Sequence, residues 1–186
     1  IVHFTNTNTN MININCDDSF LKKHVLNLLD QKKIFSSFNQ TSEYFFTINI
    51  IKNENNLVLL IDDIDIKFNL PRSFNEIFEI FFDTVSNKHI NIGNFNYYPF
   101  KQLLKKNDSN ILLSEIQNMI MCNLFLNSKK GIKKIDLIKK IWPNDKEIFF
   151  NKLDTHLTNL KNHLHDKIGF DLKFSSKSGI IKLAIN

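Results

Sequence analysis

The chain has 186 residues, of which 42% are hydrophobic and 23% are charged, and its net charge is +5. This composition, with 18 Phe, excludes an intrinsically disordered chain, and no apolar run reaches the roughly 18 residues that a membrane span needs. Residues 1–88 carry 8 Lys or Arg and 11 acidic residues, whereas residues 89–186 carry 16 Lys and 8 acidic residues, a net charge of +8. Such an excess favours a polyanionic partner, with nucleic acid the commonest inside cells, although a solvated Lys-rich surface would have the same charge.

The ends and the cysteines of the chain suggest an ordinary intracellular protein. The opening residues IVHFTNTNTN contain no apolar segment, so we expect no signal peptide, an ordered segment that begins at Met11 and a cytoplasmic location. Cys16 and Cys122 lie far apart in unlike contexts, which predicts two buried thiols rather than a disulfide framework or a metal knuckle.

The first half, residues 11–88, is predicted to form a small α/β domain. Alternating apolar residues and β-branched or aromatic content indicate strands, and apolar residues at helical spacing indicate helices. The run NLVLLI at 56–61 is apolar almost throughout, which is typical of a strand covered on both faces. The predicted order is strand 11–15, an acidic loop and a helix within 17–30, strands 33–38, 43–51, 56–61 and 65–70, and helix 72–85.

The second half, residues 89–186, is predicted to form a winged helix-turn-helix of the α+β class. Ser114 and Gln117 are spaced for a capping box at the start of the first helix, Pro143 ends the second, and Gly179 provides the turn of a final hairpin. The predicted order is three short antiparallel strands at 90–99, 101–106 and 109–113, helices at 114–128, 135–142 and 147–167, and a hairpin at 172–185.

The third predicted helix of this half has two distinct sides. Four leucines, at 153, 157, 160 and 164, form an apolar seam for packing. An adjoining sector of about 100° contains no acidic residue, unlike an ordinary exposed helix, which mixes both signs of charge. Donor side chains without carboxylates are what a helix in the DNA major groove requires, although a plain solvated face is the alternative. The sector comprises Lys152, Thr155, His156, Asn159 and His163.

The second half resembles the DNA-binding domain of OmpR/PhoB-type response regulators. The likeness lies in GIKKIDLIKKIW, which ends at Trp142, in the spacing of KLDTHLTNLKNHL, and in SSKSGIIKL at the place of the wing. It implies that helix 147–167 enters the major groove of double-stranded DNA and that hairpin 172–185 acts as the wing. Together with the sector above, it indicates DNA-binding residues Asn151, Lys152, Thr155, His156, Asn159, Lys161, Asn162, His163 and Lys177.

The second half departs from this family in one respect. Members usually carry several Arg on this helix and one in the wing, whereas Arg72, outside the domain, is the only Arg of the chain. Lys and Asn cannot reproduce the bidentate fork of Arg. We therefore expect a preference for adenine contacts from Asn159 and for DNA shape.

The first half resembles a shortened receiver domain. Asp17 and Asp18 follow the first strand, where receivers place the acids that hold Mg²⁺, and Asp62 lies near the place of the phosphorylated Asp. The position before Pro71, a Lys in receivers, is Leu70, and the segment after Asp62 is too short for the missing elements. The resemblance thus implies a degenerate receiver for dimerisation, with Asp17, Asp18 and Asp62 as a vestigial phosphoacceptor site. The residues alone also fit a purely structural role. Asp17 and Asp18 would complement the dipole at the start of a helix, and Asp62 would lie at the solvated end of a strand.

Taken together, the sequence predicts a bacterial DNA-binding transcriptional regulator that is not an enzyme and needs no cofactor or metal. We expect it to form a homodimer through the N-terminal domain, to contact RNA polymerase, and to work without phosphorylation. Two alternatives stay open, namely a phosphorylation-gated regulator with Asp62 as acceptor and a protein-interaction module. A metal site at His156, His163 and His165 has no carboxylate or thiol beside it and is not favoured.

Overall fold

The computed structural model describes residues 12–31, 36–37, 44–145 and 149–184. The chain divides into two compact units between Lys88 and His89. In these described ranges, no helix has the length and apolar character of a membrane span. The predictions for residues 1–11, which include the start at Met11, lie outside the described residues, as does most of the strand predicted at 33–38.

The N-terminal unit is a five-stranded mixed sheet with two helices. The strand order is β2-β1-β3-β4-β5; β1 is parallel to β2 and β3, whereas β3, β4 and β5 form an antiparallel meander. The same order occurs in flavodoxin-like doubly wound sheets, but those sheets are mostly parallel. The unit is therefore α/β as predicted, and it differs from the receiver-like expectation in strand direction. Its elements are β1 (Ile12–Cys16), α1 (Ser19–Gln31), β2 (Ser36–Ser37), β3 (Phe46–Lys52), β4 (Asn56–Ile61), β5 (Ile64–Asn69) and α2 (Phe74–Asn87).

Strand β4 is buried on one face only. Leu57, Leu59 and Ile61 are buried, whereas Val58 and Leu60 between them are partly exposed. The prediction that this strand is covered on both faces is therefore wrong. An apolar run does not distinguish the two cases, because Val and Leu also occupy the half-exposed face of a sheet.

The C-terminal unit has the predicted winged helix-turn-helix architecture. An antiparallel sheet in the order β6-β7-β8-β9 precedes three helices, and a second sheet in the order β10-β12-β11 contains the wing. The predicted strand 90–99 is in fact two strands, because Gly93 has a φ of 58° and turns the chain between them. The elements are β6 (Ile90–Ile92), β7 (Phe95–Tyr98), β8 (Leu103–Lys106), β9 (Ser109–Leu112), α3 (Glu115–Leu126), β10 (Ile132–Lys133), α4 (Lys134–Ile141), α5 (Phe150–Ile168), β11 (Phe174–Lys177) and β12 (Ile180–Leu183).

Polar contacts hold helix α3 in place, and only some of them were predicted from the sequence. The predicted capping box is confirmed: Ser114 Oγ accepts from the backbone N–H of Gln117 at 3.3 Å, and Gln117 Oε1 accepts from that of Ser114 at 2.9 Å. The buried hydroxyl of Tyr97 donates to Asn118 Oδ1 at 2.6 Å and lies 3.0 Å from Cys122 Sγ. Burial raises the pKa of the Cys122 thiol to about 12, so this sulfur is a neutral core group.

Gly131 allows the chain to pass close to the wing before β10. Its φ is +80°, and a Cβ at this position would lie 2.7 Å from Ile180 Cγ2 and 2.9 Å from the carbonyl oxygen of Ile181. Since Ile181 is buried and pairs with Ile132, strand β12 cannot move away without opening the three-stranded sheet. The turn at Gly131 therefore sets how closely the chain before β10 packs on strand β12.

We predict that Gly131→Ala lowers the free energy of unfolding by about 1 to 3 kcal/mol, because it combines an unfavourable φ with a steric clash. Gly93→Ala is the matched control, since Gly93 also has a positive φ but a Cβ added there would meet no atom within 4 Å. Urea denaturation of both variants measures the difference. Equal losses in the two variants would show that the close packing at Gly131 contributes nothing.

Candidate nucleic-acid interface

Helix α5 buries one side completely and exposes the opposite side. Leu153, Leu157, Leu160, Leu164 and Ile168 are buried, and the helix packs on α3, α4 and β9. Successive residues are 100° apart around the helix axis. Between Asn151 and Asn162, the side chains that point directly away from the leucine seam are all polar and uncharged. We call this surface the amide face; it consists of Asn151, Thr155, Thr158, Asn159 and Asn162, all of which are exposed.

The amide face has unused hydrogen-bonding groups. Thr155 Oγ1 donates to the carbonyl of Asn151 at 2.8 Å, and Thr158 Oγ1 donates to that of Asp154 at 2.9 Å, so both hydroxyls are oriented by the helix itself. The side-chain amides of Asn151, Asn159 and Asn162 make no hydrogen bond with any residue that the structure describes. Each of these amides offers a donor and an acceptor to a ligand.

The predicted DNA-binding sector lies on one flank of the helix, and one of its members, His163, contacts α3. Its Nδ1 accepts a hydrogen bond from Gln117 Nε2 at 3.0 Å, and the contact is partly buried against α3. The predicted sector adjoins the leucine seam rather than lying opposite it, so it included this flanking residue. The predicted sector also left out Thr158, because this residue lies on the side of the helix directly opposite the leucine seam.

Lys152 and His156 lie on the flank of α5 that faces the turn after α4. Lys152 Nζ is 2.7 Å from Asp145 Oδ2 and 4.3 Å from the centroid of the Trp142 ring. The His156 ring lies 5.2 Å from the same Trp142 ring. An exposed ion pair of this kind contributes only about 0 to 1 kcal/mol, so a phosphate oxygen can replace Asp145 at little cost.

The other flank and the end of α5 carry charges of both signs. Asp154 Oδ1 is 2.7 Å from Lys134 Nζ, which ties α5 to the start of α4, and Lys161 is exposed on the same flank. Asp166 is exposed in the last turn, on the side of the amide face, so a polyanion can approach the N-terminal part of the helix more readily than its C-terminal end. The predicted start of the helix at Glu147 lies outside the described residues, and α5 ends at Ile168 before the left-handed Gly169.

The predicted wing is the β11–β12 hairpin, and Lys177 is exposed at its tip. Ser178 and Gly179 both have positive φ values, 50° and 74°, which is the backbone of a tight type I′ turn. Lys177 is directly paired with Ile180 across this turn. The wing therefore presents a cation at a sharply defined position, as predicted from the sequence.

The acids of the N-terminal unit do not come together. Asp18 lies at the end of β1, where its Oδ1 accepts from the Leu21 N–H at 2.9 Å and its Oδ2 lies 2.8 Å from Lys52 Nζ. These two contacts lower the pKa of Asp18. Asp17, beside it, is exposed at the same edge of the sheet.

Asp62 lies at the opposite edge, in the turn after β4, because β4 runs antiparallel to β3. Its N–H donates to the carbonyl of Thr47, whereas the residue paired with Cys16 at the other end of β3 is Ile50. Asp62 and Asp17 are thus roughly 13 Å apart along the strand direction, and the spacing between neighbouring strands adds to this distance. Asp62 instead lies 3.4 Å from Lys88 Nζ, which also contacts Asp63 at 3.1 Å. The predicted vestigial phosphoacceptor site is therefore not assembled.

Comparison with known proteins gives structural neighbours only. No protein-family model and no curated protein matches the chain. The DNA-binding domain of E. coli CadC is similar at 13% identity and a TM-score of 0.46, over 54% of this chain and 95% of that chain. The C-terminal domain of NsrR, described as a lantibiotic response regulator for nisin resistance, is similar at 29% identity and a TM-score of 0.41, over 52% of this chain and 96% of that chain.

A third structure is similar over most of the chain. It is described as a streptococcal redox sensor evolved from two-component response regulators, with 14% identity and a TM-score of 0.42 over 95% of this chain and 67% of that chain. Since all three TM-scores lie below 0.5, what the chain binds is inferred below from its own side chains.

We predict that treatment with a small phosphodonor such as acetyl phosphate leaves the mass of the native protein unchanged, because Asp17 and Asp18, the predicted Mg²⁺ ligands, lie at the other end of the strands from Asp62. Intact-mass spectrometry measures this. A single added phosphoryl group that disappears in Asp62→Asn would contradict the arrangement described above.

Proposed function

We propose that the chain is a sequence-preferring DNA-binding transcriptional regulator that acts without phosphorylation. The observation that supports this most is the amide face of α5: it is exposed, contains no carboxylate, and belongs to a unit with a net charge of +8. A surface of this kind has no obvious role in the fold, because the leucine seam on the opposite side already anchors the helix. It does have the chemistry needed to read base edges.

The residues of the amide face match the groups that base pairs present in the major groove. Asn pairs with adenine through N6 and N7, and Thr contacts base edges through its hydroxyl or the thymine methyl group through its own methyl. Asn159, near the middle of the face, is the strongest candidate for an adenine contact. Lys152 would hold a phosphate beside it after leaving Asp145, and Lys177 would reach the backbone or the minor groove from the wing.

The separation of the acids supports independence from phosphorylation. A phosphoryl group on an Asp requires a bound cation and donors around it, and Asp62 has only Lys88 as a cationic neighbour among the described residues. The proposal also includes a homodimer through the N-terminal unit, a cytoplasmic location and contact with RNA polymerase. Helix α2 offers Ile80, 39% exposed, for contact with a second copy, since paired half-sites favour dimers.

A protein-interaction module is the second candidate, and exposed aromatic rings favour it. Phe149 is 52% exposed and Phe150 47% exposed at the start of α5, next to the turn that follows α4. Exposed rings of this size are typical of protein contact sites. The two functions are compatible, because this apolar surface and the amide face use different residues of α5.

We predict that Asn159→Ala costs about 1 to 3 kcal/mol of binding at one base position and leaves the salt dependence of binding unchanged. Selection from random duplexes supplies the site, and fluorescence anisotropy measures affinity for each single-base variant of it. Asn94→Ala, which removes an exposed amide from the turn between β6 and β7, is the control. If Asn159→Ala weakens all sequences equally, or none, the amide face does not read bases.

A further inference from the structure

The amide face and the positive charge of the C-terminal unit lie on different elements. Lys152 is the cation nearest to the amide face, and it is paired with Asp145 and stacked over Trp142. The energy of most protein–DNA complexes comes from cations that neutralise phosphates. If the proposed function is correct, the cations that hold the duplex must therefore lie largely outside the amide face.

A row of side chains on the outer face of the wing sheet supplies such cations. Lys133 pairs with Ile180, and Ile180 pairs with Lys177, so these three residues lie side by side across β10, β12 and β11. All three are exposed, whereas Ile132 and Ile181, the next residues along two of the strands, are buried. Since side chains alternate between the faces of a sheet, the two lysines flank Ile180 on the solvent side, with Cβ atoms about 5 Å apart between neighbours.

The row continues into an open cleft of about 630 Å³ between the wing and α4. The buried side of α4 consists of Leu137, Ile138 and Ile141, so its outer side carries the charged residues. The cleft floor includes Gly131 and Ile132. Four lysines and a single acid supply the charged groups of its lining: Lys130, Lys133, Lys139, Lys140 and Asp136.

Two contacts of Lys134 connect the edge of the cleft to the two elements that the proposed function places on DNA. The backbone N–H of Lys134 donates to the carbonyl of Gly179 in the wing turn at 2.8 Å, and Lys134 Nζ lies 2.7 Å from Asp154 on α5. One residue at the start of α4 thus joins the cleft to the wing and to α5. A duplex that contacts the amide face and Lys177 would bring its backbone along the same side of the wing.

We propose that the cleft is a phosphate-binding subsite for the same duplex, an inference that rests on the proposed function. Lys133 and Lys140, assisted by Lys130 and Lys139, hold backbone phosphates, whereas the amide face reads the bases. The lining carries more positive than negative groups, and duplex DNA, which offers one negative charge per about 1.7 Å of its axis, is complementary to it. The continuity of the cleft with Lys177 favours DNA over an acidic protein as the occupant.

The test compares the salt dependence of binding for two double variants with equal loss of charge. Lys133→Gln/Lys140→Gln removes two cations from the cleft, and Lys101→Gln/Lys105→Gln removes two from the region of β8 in the other sheet. Each lost phosphate contact lowers the slope of log affinity against log salt by about 0.9. We expect the cleft variant to lose about 1.8 in slope, with an unchanged ranking of base variants, and the control to keep the wild-type slope.

A charge-preserving variant separates a folding defect from a lost contact. Lys133→Arg/Lys140→Arg should restore the wild-type slope, because it keeps both cations. Equal slopes in the cleft and control variants would overturn the inference. The inference would also be overturned if the cleft variant kept the wild-type salt slope for DNA but no longer bound a poly-glutamate peptide. That result would indicate an acidic protein partner.

These results are distinguishable from failure of the proposed function. If the wild-type protein binds no duplex at low salt, the proposed function fails and the phosphate subsite fails with it. If the wild-type protein binds with a base preference that depends on Asn159, but the cleft variant keeps the wild-type slope, only the inference about the cleft fails.

Discussion

The burial of one leucine seam on α5 determines what the C-terminal unit can present to a partner. The leucines at 153, 157, 160 and 164 are at most 2% exposed, and burial of each contributes about 1.5 to 3 kcal/mol. No competing rotation of the helix buries as much apolar surface, because the residues opposite the seam are amides and hydroxyls. The seam therefore fixes the orientation of the helix, and the exposed amide face is its direct consequence.

The distribution of charge follows from this orientation and from the packing of the wing. Lys134 joins the wing turn to α5, and Gly131 lets strand β12 approach the chain before α4. These contacts hold the start of α4 against the wing sheet, and the lysines of both elements line one cleft that includes no residue of the amide face. The unit thus combines an uncharged face of one helix, suited to selective hydrogen bonding, with a cationic surface suited to phosphates, which is the division that DNA recognition uses.

Much of the C-terminal unit was predictable because its signals are local. The capping box of Ser114, the leucine spacing of α5 and the turn at Gly179 each depend on residues close in sequence. The side of α5 that is exposed was predicted less well, since the contact of His163 with Gln117 joins residues on different helices. The lysines around the cleft lie close together in sequence, at 130, 133, 139 and 140, but their alignment with Lys177 of the wing depends on the pairing of β12 with β10 and β11.

The N-terminal unit was harder to predict, because an apolar run does not indicate whether a strand is parallel or antiparallel to its neighbours. The segments around Asp17 and Asp62 each look like a receiver strand followed by acids, but the antiparallel course of β4 places them at opposite edges of the sheet. The short segment after Asp62 was the one clue, since it leaves room for a hairpin and not for a helical crossover.

The most direct test of the account is an NMR titration of the ¹⁵N-labelled protein with a selected duplex. The side-chain amide signals of Asn151, Asn159 and Asn162 should shift, together with the backbone signals of Thr155 and Thr158, while the side-chain amide signal of Gln117, which is hydrogen-bonded to His163, stays in place. A duplex that binds tightly and leaves the amide-face signals unmoved would contradict the account.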